Sequence, residues 1–497
     1  MQPVSKEAPL DVAQLVAHLV RDQEVAGSSP VIQTKQARSL LFSVMRKKLS
    51  LLLAAVAFSA LMICGCKDPN PTPEPEPDPS ELEPLVLSVP VTDNWVFSGK
   101  PTIVIHAENP NDYPMEFDGR VEIRTDKGAS VTTVSRTLTI KAKGSEDVSF
   151  TTDEALPAGF YRARCVANKK VPRLFVFGID PTSIVSAPDY QSDFSTFWET
   201  ALTQLEGIPM DARMEFIKTS GTRKVYFVEM NSVPDGLSGE PVKIRGYYVE
   251  PQDGNKHPVL LHFFGYDSRP PGKMSLAVGV SADYAEFYLS HRGQYINARK
   301  ADQRADGINE DYENIYGDWF AFQFGQRDGY YYRGAFLDCV QAVRFMASQS
   351  VCDMNNVFAE GSSQGGALSY ACAALSPYPL NAIAPNVAFL GDFPDYFQIV
   401  SWPGDTAKNN KGSMTDDEMY AFLSYFDTKN LATRITSTAV LATIGLQDGT
   451  CPPHTNIAPY NNLPHNDKEM HYYPEMQHSY PPGWDSMYLE FFKKHTK

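Results

Sequence analysis

Cysteine is scarce: seven in 497 residues, at positions 64, 66, 165, 339, 352, 372 and 451, without a CxxC pair or regular spacing. That argues against a zinc site and against a disulfide framework, both of which need paired or periodic thiols. Cys339 and Cys372 fall in apolar helical patterns, where a buried free thiol is the expected state. Basic charge is short as well, with 44 Lys and Arg against 59 Asp and Glu, a net of −15 at pH 7. A surface that acidic repels phosphate backbones, so no nucleic-acid partner is expected. Long hydrophobic runs are missing except for one near the N-terminus, which excludes a polytopic membrane protein. Nor does the chain lack apolar residues: 43% hydrophobic with 21% charged rules out wholesale disorder. The length allows two or three domains.

The one apolar run, Leu49 to Gly65, follows the basic cluster Met45-Arg46-Lys47-Lys48 and breaks at Lys67-Asp68-Pro69. A positive segment, an apolar segment and small residues before a break read as a secretory signal over 45–66. The cysteine at the cut resembles the bacterial lipobox, with Cys66 as the lipidated residue. The expectation is an exported protein, periplasmic or at the cell surface, anchored to a membrane by lipid. Residues 1–44 stand upstream of a complete signal and resemble translation begun before a true start at Met45. Within a linker over 67–83, Pro-Thr-Pro-Glu-Pro-Glu-Pro-Asp-Pro favours extended polyproline II, a stiff stalk.

Two folded bodies follow. Over 84–180 the pattern has period two: Val121 and Ile123 alternate with Arg120, Glu122 and Arg124, and Leu138 and Ile140 with Thr137, Thr139 and Lys141. Turn signals at Asp126-Lys127-Gly128 and Pro157-Ala158-Gly159 punctuate the strands, so a small all-β sandwich of immunoglobulin-like type is expected, serving as a spacer or docking module. From 185 to 497 strands alternate with helices. Pro258 to Phe264 is a continuous apolar run, as in parallel strands buried on both faces. Phe336, Cys339, Val340, Val343 and Met346 make a helical stripe, Asn356 to Ala359 the next strand, and Val440 to Ile444 and Met470 to Tyr473 two more before a terminal helix from Trp484. The fold class is α/β, a doubly wound, mostly parallel sheet.

Gly361-Ser362-Ser363-Gln364-Gly365-Gly366 follows the Val357 strand directly and opens an apolar helix. This is G-x-S-x-G in its required setting of strand, sharp turn and helix, phased so that Ser363 is the candidate nucleophile and Ser362 its neighbour. A serine hydroxyl needs a base to take its proton. In this setting the order is serine, acid, histidine. Of His454, His465, His471, His478 and His495, only His478 sits in a loop between the last strand and the terminal helix. Asp448, closing the Val440 strand, is the acid, with Asp392 its rival. Two main-chain N–H groups must hold the oxyanion: Gln364 after the nucleophile, and Tyr266 in Gly265-Tyr266 after the Val259 strand.

Together these segments resemble the acetyl xylan esterase and cephalosporin-C deacetylase family, carbohydrate esterase family seven, over roughly 190–497. Phe264-Gly265-Tyr266 is similar to its oxyanion loop, Arg292-Gly293-Gln294 to its RGQ signature, and Tyr330-Tyr331-Tyr332-Arg333 to its YYYR helix. Gly361 to Gly366 matches its GxSQGG elbow, and Gly445-Leu446-Gln447-Asp448 with Cys451-Pro452-Pro453 its acid-bearing segment. Ser479 stands where the family usually has glutamate, and Tyr295 where it has a small residue. The resemblance implies an α/β-hydrolase, a serine esterase removing acetyl groups from carbohydrates such as xylo-oligosaccharides. It needs no metal or organic cofactor and sometimes forms a homo-oligomer. Trp319 and Phe320, in the acidic and aromatic segment 296–329, are candidates to wall the pocket. Two other readings share the elbow: a prolyl-oligopeptidase-like peptidase, for whose propeller 84–180 is too short, and an inactive surface glycan-binding homologue, against which the complete Ser–Asp–His set argues.

Overall fold

The computed structural model describes residues 82–266, 279–294 and 316–497. The expected signal at 45–66 with Cys66, the 1–44 segment, nearly all of the 67–83 linker and Tyr295 lie outside the described residues. Among the described residues, no helix is long and apolar enough to cross a membrane.

Eight strands come first: β1 (Val86–Ser88), β2 (Val96–Phe97), β3 (Thr102–Glu108), β4 (Met115–Thr125), β5 (Ser130–Ile140), β6 (Ser145–Thr151), β7 (Gly159–Ala167) and β8 (Lys170–Ile179). They make a three-stranded sheet, β1-β3-β6, and a five-stranded sheet, β2-β8-β7-β4-β5. Along β4 the inward Phe117, Val121 and Ile123 are buried while Glu116, Asp118, Arg120 and Arg124 are exposed. Phe117 of one sheet meets Phe150 of the other, ring centres 6.4 Å apart, so the two inner faces share a core. Two stacked sheets differ from the radial blades that a propeller requires.

The second sheet system has nine strands in the order β17-β16-β15-β14-β12-β13-β11-β10-β9. They are β9 (Arg213–Ser220), β10 (Arg223–Ser232), β11 (Val242–Pro251), β12 (His257–Phe263), β13 (Ala285–Ser290), β14 (Cys352–Ser362), β15 (Ala382–Asn386), β16 (Ala439–Gly445) and β17 (Lys468–Tyr473). From β13 through β17 every pairing is parallel, while β9, β10 and β11 join as an antiparallel flank. Helices are α1 (Phe194–Glu206), α2 (Tyr331–Ala347), α3 (Gln364–Leu375), α4 (Phe393–Ile399), α5 (Gly404–Asn410), α6 (Asp416–Leu423), α7 (Thr428–Ala432), α8 (Pro453–Asn461) and α9 (Trp484–Lys494).

Side-chain alternation explains the double winding. Val259, Leu261 and Phe263 of β12 pack into the core shared with α2 and α3. Leu260, between them, packs instead with Phe358, Ala382 and Leu441 under Trp484, Tyr488, Phe491 and Phe492 of α9. Each fully buried Leu, Val or Phe contributes about 1.5–3 kcal/mol, so covering both faces is what makes a continuous apolar strand tenable.

Three features differ from expectation. β9 and β10 were unforeseen; in β9 the alternating Met214 and Phe216 stay exposed on an edge strand, so their pattern marks no core. Helices α4 to α7 are five to eight residues long, too short for a periodic stripe. His454 lies on α8, a helix that the sequence pattern hides because Pro453 stands at its start and Pro459 inside it. The described residues form one compact unit, with the sandwich against the nine-stranded body.

Candidate active site

The site lies at the C-terminal ends of the parallel strands, where an open α/β sheet leaves a crevice. β14 ends at Ser362, α3 begins at Gln364, and Ser363 between them has φ 58° and ψ −120°. A non-glycine residue at positive φ costs about 1–3 kcal/mol and persists only where its surroundings impose it. Here the Ser363 N–H donates to the Asn386 carbonyl at 2.9 Å, and its own carbonyl accepts from Phe389 N–H at 3.0 Å and Ala367 N–H at 3.2 Å. The turn closes only on glycine. A Cβ at Gly361 would lie 2.5 Å from the Gly365 main chain, and one at Gly365 would lie 2.1 Å from the Phe263 carbonyl oxygen.

Asp448 follows β16, and its side chain is 0% exposed. One carboxylate oxygen accepts from the Thr450 and Cys451 N–H groups, both at 2.8 Å. The other faces His478 Nδ1 at 2.7 Å. That contact fixes the imidazole with its Nδ1 proton toward the carboxylate and leaves Nε2 as the nitrogen for proton transfer. Cys451, in the same loop, has a thiol that feels the Ser363 hydroxyl as a neighbouring dipole. Burial holds the Cys451 thiol well above its ordinary value, which keeps it neutral beside Asp448.

Gln364 is fully buried. Its Oε1 accepts from Tyr332 at 2.9 Å, and its Nε2 lies 2.8 Å from His291 Nε2. Burial pushes His291 down to about 4. The neutral ring then accepts from Gln364 through Nε2 and carries its proton on Nδ1, 2.8 Å from the Tyr331 hydroxyl, which donates to the Arg292 carbonyl at 2.7 Å. The first main-chain N–H groups of α3 have no partner within the helix. The Gln364 N–H is therefore left unpaired within α3, on a residue whose side chain is fixed at both ends. Across from it, Gln294 Nε2 donates to the Gly265 carbonyl at 3.1 Å, holding the turn that carries Tyr266. The Tyr266 hydroxyl donates to Asp318 at 2.6 Å.

Trp319 and Phe320, expected to wall the pocket, are 2% and 0% exposed. Trp319 stacks on Tyr331 at 5.1 Å and packs against Tyr266 at 5.2 Å. Phe320 sits among Tyr332, Phe389 and Phe393. Both are core residues instead; a partly exposed aromatic ring beside Tyr266 is Trp402, at 5.2 Å. Asp392 does not reach His478. It lies 3.0 Å from His454 Nε2 and 3.0 Å from Lys429 Nζ. Asp392, Asp395 and His454 bring ligating atoms within 4.8 Å of one another. Because Lys429 already supplies a cation there, the group reads as a buried ion-pair cluster.

Asn386 is a site residue that sequence reasoning missed. Its Nδ2 donates to Ser362 Oγ at 2.8 Å and the Ser479 carbonyl at 3.1 Å, and its Oδ1 accepts from Thr443 at 2.5 Å. One buried amide thus joins the elbow, the histidine loop and the acid-bearing strand. No motif marks it; its only signal is its place at the end of an apolar strand.

A parallel core flanked by helices, a strained serine between strand and helix, and an Asp–His pair on later strand-end loops define an α/β-hydrolase. The acetyl xylan esterase (AXE1) family model matches residues 184–496. The chain belongs to that family and so to the hydrolases acting on ester bonds. It is 27% identical over 313 residues to acetyl esterase Axe7A of Xylanibacter ruminicola, covering 61% of this chain and 67% of the relative. Acetyl xylan esterase 1 from Thermoanaerobacterium sp. superposes with a TM-score of 0.54 at 25% identity, covering 64% of this chain and 98% of that one. Acetyl xylan esterase from Paenibacillus sp. R4 gives 0.54 at 28% identity, with the same two coverages of 64% and 98%.

Proposed function

We propose that the protein is a serine esterase that removes acetyl groups from carbohydrates, with Ser363, His478 and Asp448 as its catalytic residues. The observation that carries this reading is the 2.7 Å Asp448–His478 contact, on a histidine loop that Asn386 ties to the elbow through Ser362 and the Ser479 carbonyl. Ser363 Oγ attacks the acetyl carbonyl while His478 Nε2 takes its proton, and Asp448 stabilises the imidazolium that forms. The Tyr266 and Gln364 N–H groups donate to the oxyanion. As the tetrahedral intermediate collapses, His478 returns the proton to the departing sugar oxygen, leaving an acetyl ester on Ser363. Water, deprotonated by the same nitrogen, adds to that ester, and acetate leaves as Ser363 regains its proton. An acetylated xylo-oligosaccharide fits the family, and Trp402 beside Tyr266 supplies an apolar face on which a pyranose ring can rest. Export and lipid anchoring through Cys66 belong to the same proposal, since the polymer is outside the cell.

The test is acetate release from acetylated xylo-oligosaccharide by the Ser363→Ala variant. Loss of at least about 10³-fold in kcat, with an unchanged unfolding midpoint, is expected. Retention of most activity would refute the nucleophile, and failure of a fluorophosphonate probe to label the unaltered protein would refute the activated serine.

A further inference from the structure

The sandwich meets the catalytic loops at two points: an exposed ion pair from Arg173 of β8 to Glu475 at 3.0 Å, and the part-buried amide of Gln447. Gln447, immediately before Asp448, accepts from the Val176 N–H of β8 at 2.9 Å and donates to the Val176 carbonyl at 3.0 Å. Its amide thereby pairs with β8 as a strand residue would. The same Nε2 donates to the Pro474 carbonyl at 2.7 Å. The Gln447 main-chain N–H donates to the Met476 carbonyl at 3.0 Å, and Leu446 N–H to Tyr473 at 3.0 Å. The acid loop and the histidine loop are thus zipped to each other and both fastened to the sandwich. Behind the acid loop lies a crevice of about 240 Å³, lined by Phe175 and Val176 on one side and Gln447, Asp448 and Gly449 on the other. Packing does not fill that side, so hydrogen bonds must fix the loop.

We propose that Gln447 is a positioning residue that makes β8 of the sandwich part of the catalytic scaffold, holding Asp448 and His478 in register with Ser363. The inference rests on the Ser363–His478–Asp448 reading above. An acid–base pair must be held to a fraction of an ångström, and a 1 Å misplacement costs about 10²-fold in rate. The sandwich therefore does more than space the body from a surface.

Val176 permits a test from the far side of the interface. It opposes Arg162 of β7, while β2 pairs only with Gly178 and Ile179, so its N–H and carbonyl point out of the sheet toward Gln447. Val176→Pro removes that one N–H from an edge position where proline is tolerated. Gln447→Ala removes the clamp from the body. Lys127→Ala cuts an interface ion pair, Lys127 Nζ to Asp395 at 2.5 Å, that does not touch the acid loop.

Steady-state hydrolysis of p-nitrophenyl acetate by the full chain reads the outcome. In both Val176→Pro and Gln447→Ala, kcat should fall about 10- to 100-fold with KM within about twofold, while Ser363 is still labelled by fluorophosphonate. Lys127→Ala should keep its kcat. If the first two variants keep kcat, the clamp is overturned although the triad stands. An equal kcat loss in Lys127→Ala makes general loosening the cause and also overturns it. Should Val176→Pro unfold, Gln447→Ala alone decides by the same split. An active Ser363→Ala would instead sink the reading beneath it.

Discussion

At the scale of single residues the site depends on groups that do no chemistry. Asn386 is 0% exposed and spends its whole amide on Ser362, Ser479 and Thr443. Asn386→Ala would leave two buried hydroxyls without that partner, at about 1–3 kcal/mol each, and would free the histidine loop from the elbow. The expected result is a lower urea midpoint together with about a tenfold or greater loss of kcat at nearly constant KM. A variant that lost stability but kept kcat would show that Asn386 serves folding alone. Gly365→Ala is expected to be harsher, since its Cβ would sit 2.1 Å from the Phe263 oxygen in the strand beside the elbow. It should fail to yield soluble, probe-reactive protein. Ser363, His478 and Asp448 could be singled out as candidates from the sequence because a motif, a chain order and strand-end positions each constrain them. Asn386 could not, because a buried asparagine at a strand end looks the same whether it serves a site or a turn.

At the scale of elements, three central strands carry a buried charge that the sequence conceals. His262 of β12 lies 2.7 Å from Glu360 of β14 and 3.4 Å from Glu286 of β13, the longer contact being an ion pair rather than a well-formed hydrogen bond. Burial alone would depress the imidazole, but the attraction of Glu286 and Glu360 outweighs it and raises His262 to about 9. Arg223 neutralises Glu286 from β10 at 3.0 Å. A histidine whose folded value is raised adds stability that is complete below its unfolded value near 6.5 and lost as pH rises through about 9. The contribution is on the order of 3 kcal/mol. Urea midpoints measured from pH 6 to 10 should therefore fall on the alkaline side, and His262→Gln should flatten that fall while lowering the midpoint at pH 6. An unchanged alkaline slope in the variant would place the titrating group elsewhere. The strands themselves were readable from their apolar runs. Their polar pairs were not, because His262, Glu286 and Glu360 are neighbours only through the β13-β12-β14 order, which sequence spacing does not encode.

At the scale of the whole molecule, the sandwich and the body share more than the Gln447 clamp. Arg162 donates to the Ile399 carbonyl at 3.2 Å and Arg173 pairs with Glu475 at 3.0 Å, while Asn461 holds the connecting Pro181 and Ile184 carbonyls at 3.0 and 2.9 Å. Their buried apolar residues form a single cluster running from Leu85 through Ile184 into the body. Composition marked the change of texture near residue 185 but could not show this, since an interface needs both partners folded before its residues differ from ordinary surface. A shared core of this kind predicts that the two regions lose their folds together. Calorimetry at pH 7 should give one transition whose van't Hoff and calorimetric enthalpies agree; two separated transitions would refute the coupling. Asp395 is the place to weaken it, because its carboxylate meets Lys127 of the β4–β5 turn at 2.5 Å and His454 of α8 at 3.1 Å. His454 is raised to about 9: burial opposes the charge, but Asp392 and Asp395 hold it protonated. Asp395→Asn removes one of these anions and the cross-interface pair at once, at about 1.5–3 kcal/mol. The sandwich's hold on α4 and α8 then weakens while each core stays intact, so the single calorimetric peak should broaden toward two, with van't Hoff enthalpy falling below calorimetric enthalpy.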